Sequence, residues 1–423
     1  MGCAPGVTLH KKPSTVTLGN GWAANSINTV VFRKNSLASI GDTQYIAWYN
    51  QEGFVVLGKR ILPAGKWTTV VTRFKGNVSD AHNTICIMPD GDGYLHIAWD
   101  HHNNALRYCK SIAPGSLELT DKMPMTDTLD SRVTYPEFHR LPNGNLLFLY
   151  RNGQSGEGNL VINRYDIHTR KWTRLHSNLI DGEGQRNAYW QACTDEKGTI
   201  HVSWVWRETS DVASNHDLCY ARSTDAGATW EKSNGDQYQL PINGASAEYI
   251  CHIPQKMELI NQTAMSADAA GNPLIASYWR EANDAVPQYH VVFRQNNKWV
   301  VQNTGFRKTA FSLSGAGTKR IPISRPQIIS WKKKQRVFTA IVFRDEERGN
   351  KISIAYNNDS SKSKWQVRDL LREGVGSWEP TYDTEWWKRK KSLHLFVQLT
   401  DQQDGEGKSN IAPQPVSVLQ WNP

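Results

Sequence analysis

The stretch from Thr199 to Trp230, TIHVSWVWRETSDVASNHDLCYARSTDAGATW, decides the fold. An alternating run, Ile200 to Trp206, ends on Arg207, and a second run covers Asp217 to Arg222. Their period of two predicts a pair of strands. The second run opens onto Ser223-Thr224-Asp225-Ala226-Gly227-Ala228-Thr229-Trp230, which fits the Ser-x-Asp-x-Gly-x-Thr-Trp pattern of an Asp box. In such a turn the carboxylate accepts backbone N–H groups, the glycine takes a backbone angle other residues avoid, and the tryptophan pins the turn to the sheet.

The same unit recurs outward from that stretch. Strand pairs joined by polar or glycine-containing turns begin near Ile27, His82, Tyr135, Tyr189, Asn261, Arg325 and Glu379. Third strands follow, such as FVVLGKR, DLCYARS and KISIAYN, and fourth strands are expected near Trp67, Trp172, Trp230, Trp299 and Trp365. Length alone would allow two or three domains in 423 residues. The repeats instead predict one all-β domain over residues 1–423, a seven-bladed β-propeller of four-stranded blades. The C-terminal VSVLQW segment is expected to close the ring beside Val16.

Composition agrees. The chain is rich in aromatic residues (Trp 17, Tyr 15, Phe 11) and in turn formers (Gly 31, Pro 18), with no long amphipathic run at helical period. Lys+Arg 49 against Asp+Glu 40 gives a net charge of +9, which suits an acidic partner. No recognition helix or aromatic RNA-binding motif supports nucleic acid, so an acidic polysaccharide is the better fit. No apolar stretch is long enough to span a membrane. Met1-Gly2-Cys3 leaves open a vector-derived start or the flank of a lipoprotein cleavage point. Cys86 and Cys109, and likewise Cys193 and Cys219, fall on alternate strands about 10 Å apart, too far for a disulfide.

Propeller symmetry turns register into position. The first strand of each blade lines the channel, so His82, Tyr135, Tyr189, Asn261, Arg325 and Glu379 converge on one mouth, the front face. Second strands run back to the same face and end at Asp100, His101 and His102, Arg151, Arg207, Arg280 and Arg344. Arginine matches a planar carboxylate with paired hydrogen bonds, and His or Tyr beside a bound uronate can move the proton next to its carboxylate. Stacking of these arginines on neighbouring aromatics is the structural alternative. The opposite, back face carries Lys332–Lys334 beside Trp331, and Trp386-Trp387-Lys388-Arg389-Lys390-Lys391, a mixture that can hold an anionic sugar. Gln44 is placed at the back mouth. His216, Cys219, Cys251 and His252 have the residue types of a structural metal site, although buried thiols with surface histidines are the plainer reading.

HNTI…DGDGYLHIAWDHH, YPEF…LYRNGQSGEG, NAYWQA…IHVSWVWR and NHDLCYARSTDAGATW resemble the BNR-repeat seven-bladed propellers that act on uronic-acid polysaccharides. That group includes ulvan lyases, rhamnosyl-glucuronate lyases and α-L-rhamnosidases of the glycoside hydrolase family 145 type. Overall length and the lack of appended domains are closest to the rhamnosidase branch. The resemblance therefore implies action on L-rhamnose-α-1,4-glucuronate ends of arabinogalactan-type plant glycans. In that branch it also implies a back-face site resting on one histidine, a position the register of QYIAWYN gives to Gln44, which would weaken or abolish turnover. For a lyase it implies His82 or His102 and Tyr189 as base and acid, with Arg207 or Arg280 neutralising the uronate; Tyr135, Arg151, Arg325, Arg344 and Trp331 complete the substrate-binding candidates. A silent glycan-binding propeller is the third alternative. No cofactor is required on this reading, although a structural zinc or calcium ion is allowed. A periplasmic, cell-surface or secreted monomer is expected.

Overall fold

Apolar residues at period two drive the chain into short strands, and inner strands such as Ile85–Pro89, Leu95–Trp99 and Ile200–Arg207 are buried on both faces between neighbouring sheets. A computed structural model describes residues 12–126, 128–261 and 264–423. Among the described residues, antiparallel strands form seven sheets, four of them four-stranded, one five-stranded and two three-stranded. The sheets follow one another around a central channel, which is the seven-bladed propeller. The ring closes where strand Ser14–Gly21 pairs with strand Gln414–Trp421, with Val16 opposite Val418. Pairing strands from near the two ends of the chain in one sheet fastens the ring shut.

The Asp box forms as read. Ser223 Oγ donates to Asp225 Oδ1 at 2.8 Å, and the Thr229 backbone N–H and hydroxyl both donate to the Asp225 carboxylate, at 2.9 and 2.7 Å. Gly227 has φ +90°, and Trp230 is buried with its Nε1 donating to the Gly227 carbonyl. Cys86, Cys109, Cys193, Cys219 and Cys251 are all free thiols; Cys3 lies outside the described residues. Among the described residues no helix is long and apolar enough to cross a membrane.

Three local expectations are corrected. The first blade opens at Leu37–Ile40 rather than at Ile27, because turns over residues 25–36 carry Phe32 toward the front mouth. In the fourth blade the outer strand is Glu248–Cys251, while Trp230 stays on the Asp-box turn. At the back, residues Thr384–Lys390 form a helix where a turn was expected. Asp383 caps it by accepting from the Trp386 N–H, and Lys388, Arg389 and Lys390 sit in its last turn, where they meet the negative end of the helix dipole.

Candidate functional site

The front mouth holds a cleft with about 210 Å³ of free space, lined by Phe32, His82, His102, Tyr135, Arg151, Tyr189, Arg207, Asn261 and Arg325 among others. Residues predicted from blade register thus meet in one place. A run of rings forms one wall: His102 stacks on His82 at 4.1 Å, His82 on Phe32 at 5.2 Å, and Phe32 meets Tyr135 at 4.9 Å. Tyr135 in turn lies 6.0 Å from Tyr189. Tyr135 owes its position to a bulge in strand Val133–Arg140, where it adopts φ +54° immediately before Pro136. Such a bulge costs pairing but re-aims a side chain, here into the cleft.

Cations lie against these rings. Arg151 lies 4.8 Å over the Tyr135 ring and Arg207 5.4 Å over that of Tyr189. Arg151 Nε donates to the Gly153 carbonyl at 3.1 Å and Nη1 to the Tyr189 hydroxyl at 3.4 Å. Arg207 Nε donates to the Thr209 carbonyl at 3.1 Å and Nη2 to that of Ser210. Among the described residues, one terminal nitrogen of each guanidinium has no hydrogen-bond partner. Gly158 makes room for Arg151: it has φ +151°, and a Cβ there would stand 2.9 Å from Arg151 Cγ. Burial pushes the Tyr189 phenol upward, but the nearby charges of Arg151 and Arg207 outweigh it and bring its pKa down to about 8. Tyr135 goes the other way, raised by burial and by Tyr189.

The two histidines share one anion that the sequence reading missed. Asp80 accepts from His82 Nδ1 at 2.7 Å and from His102 Nδ1 at 2.5 Å. Burial raises the carboxyl, yet the hydrogen bonds from both imidazoles hold it well below the usual carboxylate range. With Nδ1–H donated to Asp80, Nε2 of each ring is the acceptor. Burial and the neighbouring His102 lower the His82 pKa, which keeps that ring neutral. The spacing Asp80-x-His82 was the available signal, but Asp80 precedes the strand and so falls outside any strand-based register.

A strap over residues 304–324 closes another side. Gly315 N–H donates to Asp211 Oδ1 at 2.6 Å, Gly405 N–H to the Thr318 carbonyl at 2.7 Å, and the Thr318 hydroxyl to Glu406 Oε1 at 3.0 Å. The strap brings Lys319 to the cleft. Its lack of strand period hid it from sequence reasoning.

Other candidates are placed elsewhere. Arg280 fastens a front loop through Glu258 Oε2 at 3.1 Å and the Asp284 and Lys256 carbonyls. Arg344 is buried, donating to the Ile321 and Pro322 carbonyls at the foot of the strap. Neither lines the cleft, because both guanidinium groups are taken up by loop carbonyls. Trp331 is not a surface platform but a core residue against Phe338, Trp387 and Trp421. Gln44 is fully buried: it donates to Asp383 Oδ2 at 2.7 Å and accepts from Arg60 at 2.9 and 2.6 Å, so it does not open to the back mouth. His216, Cys219, Cys251 and His252 do not converge. Cys219 is in the core, His252 is exposed, and His216 is held by Glu208 and Asp217 at 2.8 and 2.9 Å. Among the described residues, the triplet with metal-ligand spacing is Asp80, His82 and His102.

The chain is similar to curated ulvan lyases. The long isoform from Alteromonas sp. is 23% identical over 323 residues, 60% of this chain and 32% of that protein. The short isoform from Alteromonas sp. (strain LOR) is 24% identical over 267 residues, 47% of this chain and 50% of that protein. The chain thus spans about a third of the length of the long relatives it matches. Among solved structures, the polysaccharide lyase Uly1 superposes with a TM-score of 0.69 at 14% identity, over 93% of this chain and 90% of that one. An ulvan lyase of family PL25 bound to -[GlcA(1-4)Rha3S]- gives 0.68 at 13%, over 91% and 94%. These two likenesses show a shared fold. Residues 43–307 match the family described as "BNR repeat-containing family member", well over half of the chain, and the protein belongs to that BNR-repeat family.

Proposed function

We propose that the protein is a polysaccharide lyase that cleaves beside a uronate by β-elimination in the front cleft. The observation that carries this reading is Tyr189, a phenol drawn to a pKa of about 8 by two arginines, set in the same cleft as a histidine pair tied to Asp80. A uronate carboxylate can bridge the uncommitted nitrogens of Arg151 and Arg207, and its neutralisation acidifies the C5 proton. Nε2 of His82 or His102 takes that proton. Electrons move into a C4–C5 double bond, the C4–O4 bond breaks, and Tyr189 gives its proton to the departing oxygen. Once the carboxylate occupies Arg151 and Arg207, their pull on the phenol weakens, so Tyr189 is protonated when it is needed as the acid.

The names of the relatives support the same class, and the glucuronate–rhamnose ligand of one solved relative suggests a glucuronate-containing rhamnosyl glycan as substrate. A polymer of that kind does not cross a membrane unaided, which places the action outside the cytoplasm. The rhamnosidase reading has less support: Gln44 is sealed against Asp383, Arg60 and His394 and offers no acid–base group to a ligand. Glu379 is consumed by Arg325.

The test is incubation with ulvan and with rhamnosyl-glucuronate glycans, following the ultraviolet absorbance of an unsaturated uronate alongside free rhamnose. The lyase predicts the chromophore without stoichiometric rhamnose release. Free rhamnose without the chromophore would refute it, as would full activity in both Tyr189→Phe and the His82→Ala/His102→Ala double variant.

A further inference from the structure

We propose that Asp80, His82 and His102 form a zinc-type divalent-cation site in the wall of the cleft, and that loading it silences the base used in β-elimination. The second half rests on the lyase reading above; the first does not.

The donor atoms of the three side chains all lie within 4.8 Å of one another. They come from separate elements: Asp80 and His82 from the turn before strand Ile85–Pro89, and His102 from the short strand His102–Asn104. That short strand is pinned to the next blade, with His102 opposite Thr134 and the Asn103 N–H donating to Thr134 Oγ1 at 2.7 Å. The two imidazole planes are 22° from parallel, and both Nδ1 atoms point at the same carboxylate. Glu406 Oε1 lies 3.6 Å from His82 Nδ1, at the edge of this triplet. Two imidazoles with carboxylate oxygen suit zinc, whereas calcium and magnesium favour all-oxygen shells. A tetrahedral ion with bonds of about 2 Å spaces its ligand atoms about 3.3 Å apart, so loading opens the present contacts by less than about an ångström.

Binding has a defined proton balance. An imidazole that donates Nδ1–H to Asp80 gives up that hydrogen bond for a metal–nitrogen bond, and the proton passes through solvent to Nε2. No proton is lost overall, but both cleft-facing nitrogens change from acceptors to donors. A ring in that tautomer cannot remove the C5 proton.

The experiment is calorimetric titration of the chelator-treated full chain with zinc chloride, beside a lyase assay at the same zinc concentrations. One equivalent should bind. His102→Ala, its more conservative partner His102→Gln and Asp80→Asn should each weaken binding at least about tenfold, with melting curves confirming that all three fold. Lyase activity should fall with the binding midpoint and return on adding EDTA. No zinc uptake by the wild type, or uptake unchanged in all three variants, would overturn the site. Uptake at this site with undiminished lyase activity would overturn the silencing. Lack of any unsaturated product in EDTA would sink the lyase reading alone, since the calorimetry still decides the metal.

Discussion

Arg325, just before strand Gln327–Lys333, and Glu379, in the loop ahead of helix Thr384–Lys390 rather than on the strand expected there, meet in a two-pronged ion pair, Nε to Oε1 at 2.8 Å and Nη2 to Oε2 at 2.6 Å. Both are buried beside the cleft, the guanidinium lies 4.5 Å over Phe32, and Glu379 also accepts the Val31 and Arg325 N–H groups at 2.9 and 2.8 Å. The pair ties two blades to the N-terminal turn that delivers Phe32. Burial raises the Glu379 carboxyl, but the charge and hydrogen bonds of Arg325 hold it below its ordinary value.

Removing one partner strands the other charge in a dry site. Glu379→Ala should cost about 3–5 kcal/mol in denaturant unfolding, and replacing both with apolar residues should cost less than the two single changes added together. An unshifted unfolding midpoint for Glu379→Ala would show that the pair is not the pin described.

Tyr189 should titrate near 8 in an ultraviolet difference spectrum, against an ordinary value of 10. As the acid, it works only while protonated, so kcat/KM should fall as pH rises above that point. Arg207→Gln removes one of the two lowering charges and should move this alkaline limb upward. Tyr189→Phe should lower kcat about 10²–10⁴-fold with little change in melting temperature. A limb that ignores Arg207 would separate Tyr189 from the chemistry.

Three buried histidines predict the acid limit of stability. Burial brings His101 and His394 down to about 3 and His290 to about 4, with Arg107 adding to the effect at His101 and Arg60 at His394. Unfolded, each titrates near 6.5. Between those values the unfolded chain binds more protons, so stability is fully present above pH 6.5 and drains as pH falls toward 3–4, by up to about 1.4 kcal/mol per pH unit for each group. Melting temperature measured from pH 7 to pH 4 should decline throughout. A flat profile would mean these rings are not held neutral.

Gln44 joins Asp383, the cap of helix Thr384–Lys390, to Arg60. Gln44→Leu takes one hydrogen-bond partner from each of Asp383 and Arg60 and should cost about 2–4 kcal/mol, with the back-face helix loosening first in hydrogen exchange. Gln44→His should release no rhamnose, because a ring at that position remains enclosed. Rhamnose release by that variant would restore the back-face hydrolase reading.

Much of this was legible in the order of residues. A period of two places a side chain on a known face of its sheet, and an Asp box closes through contacts within eight residues, so seven blades, ring closure at Val16 and Val418, and the convergence of His82, His102, Tyr135, Arg151, Tyr189 and Arg207 follow from local pattern repeated around an axis. What register could not separate was Arg151 and Arg207 from Arg280 and Arg344. All four end second strands, and which guanidinium faces a ligand depends on carbonyls of other loops, such as those of Lys256 for Arg280 and Ile321 for Arg344. Asp80, the strap that carries Lys319, and the helix that seals Gln44 also belong to connections. Hydrogen bonds between distant segments, rather than strand periodicity, decide their conformation. Only the folded ring brings those partners within reach of one another.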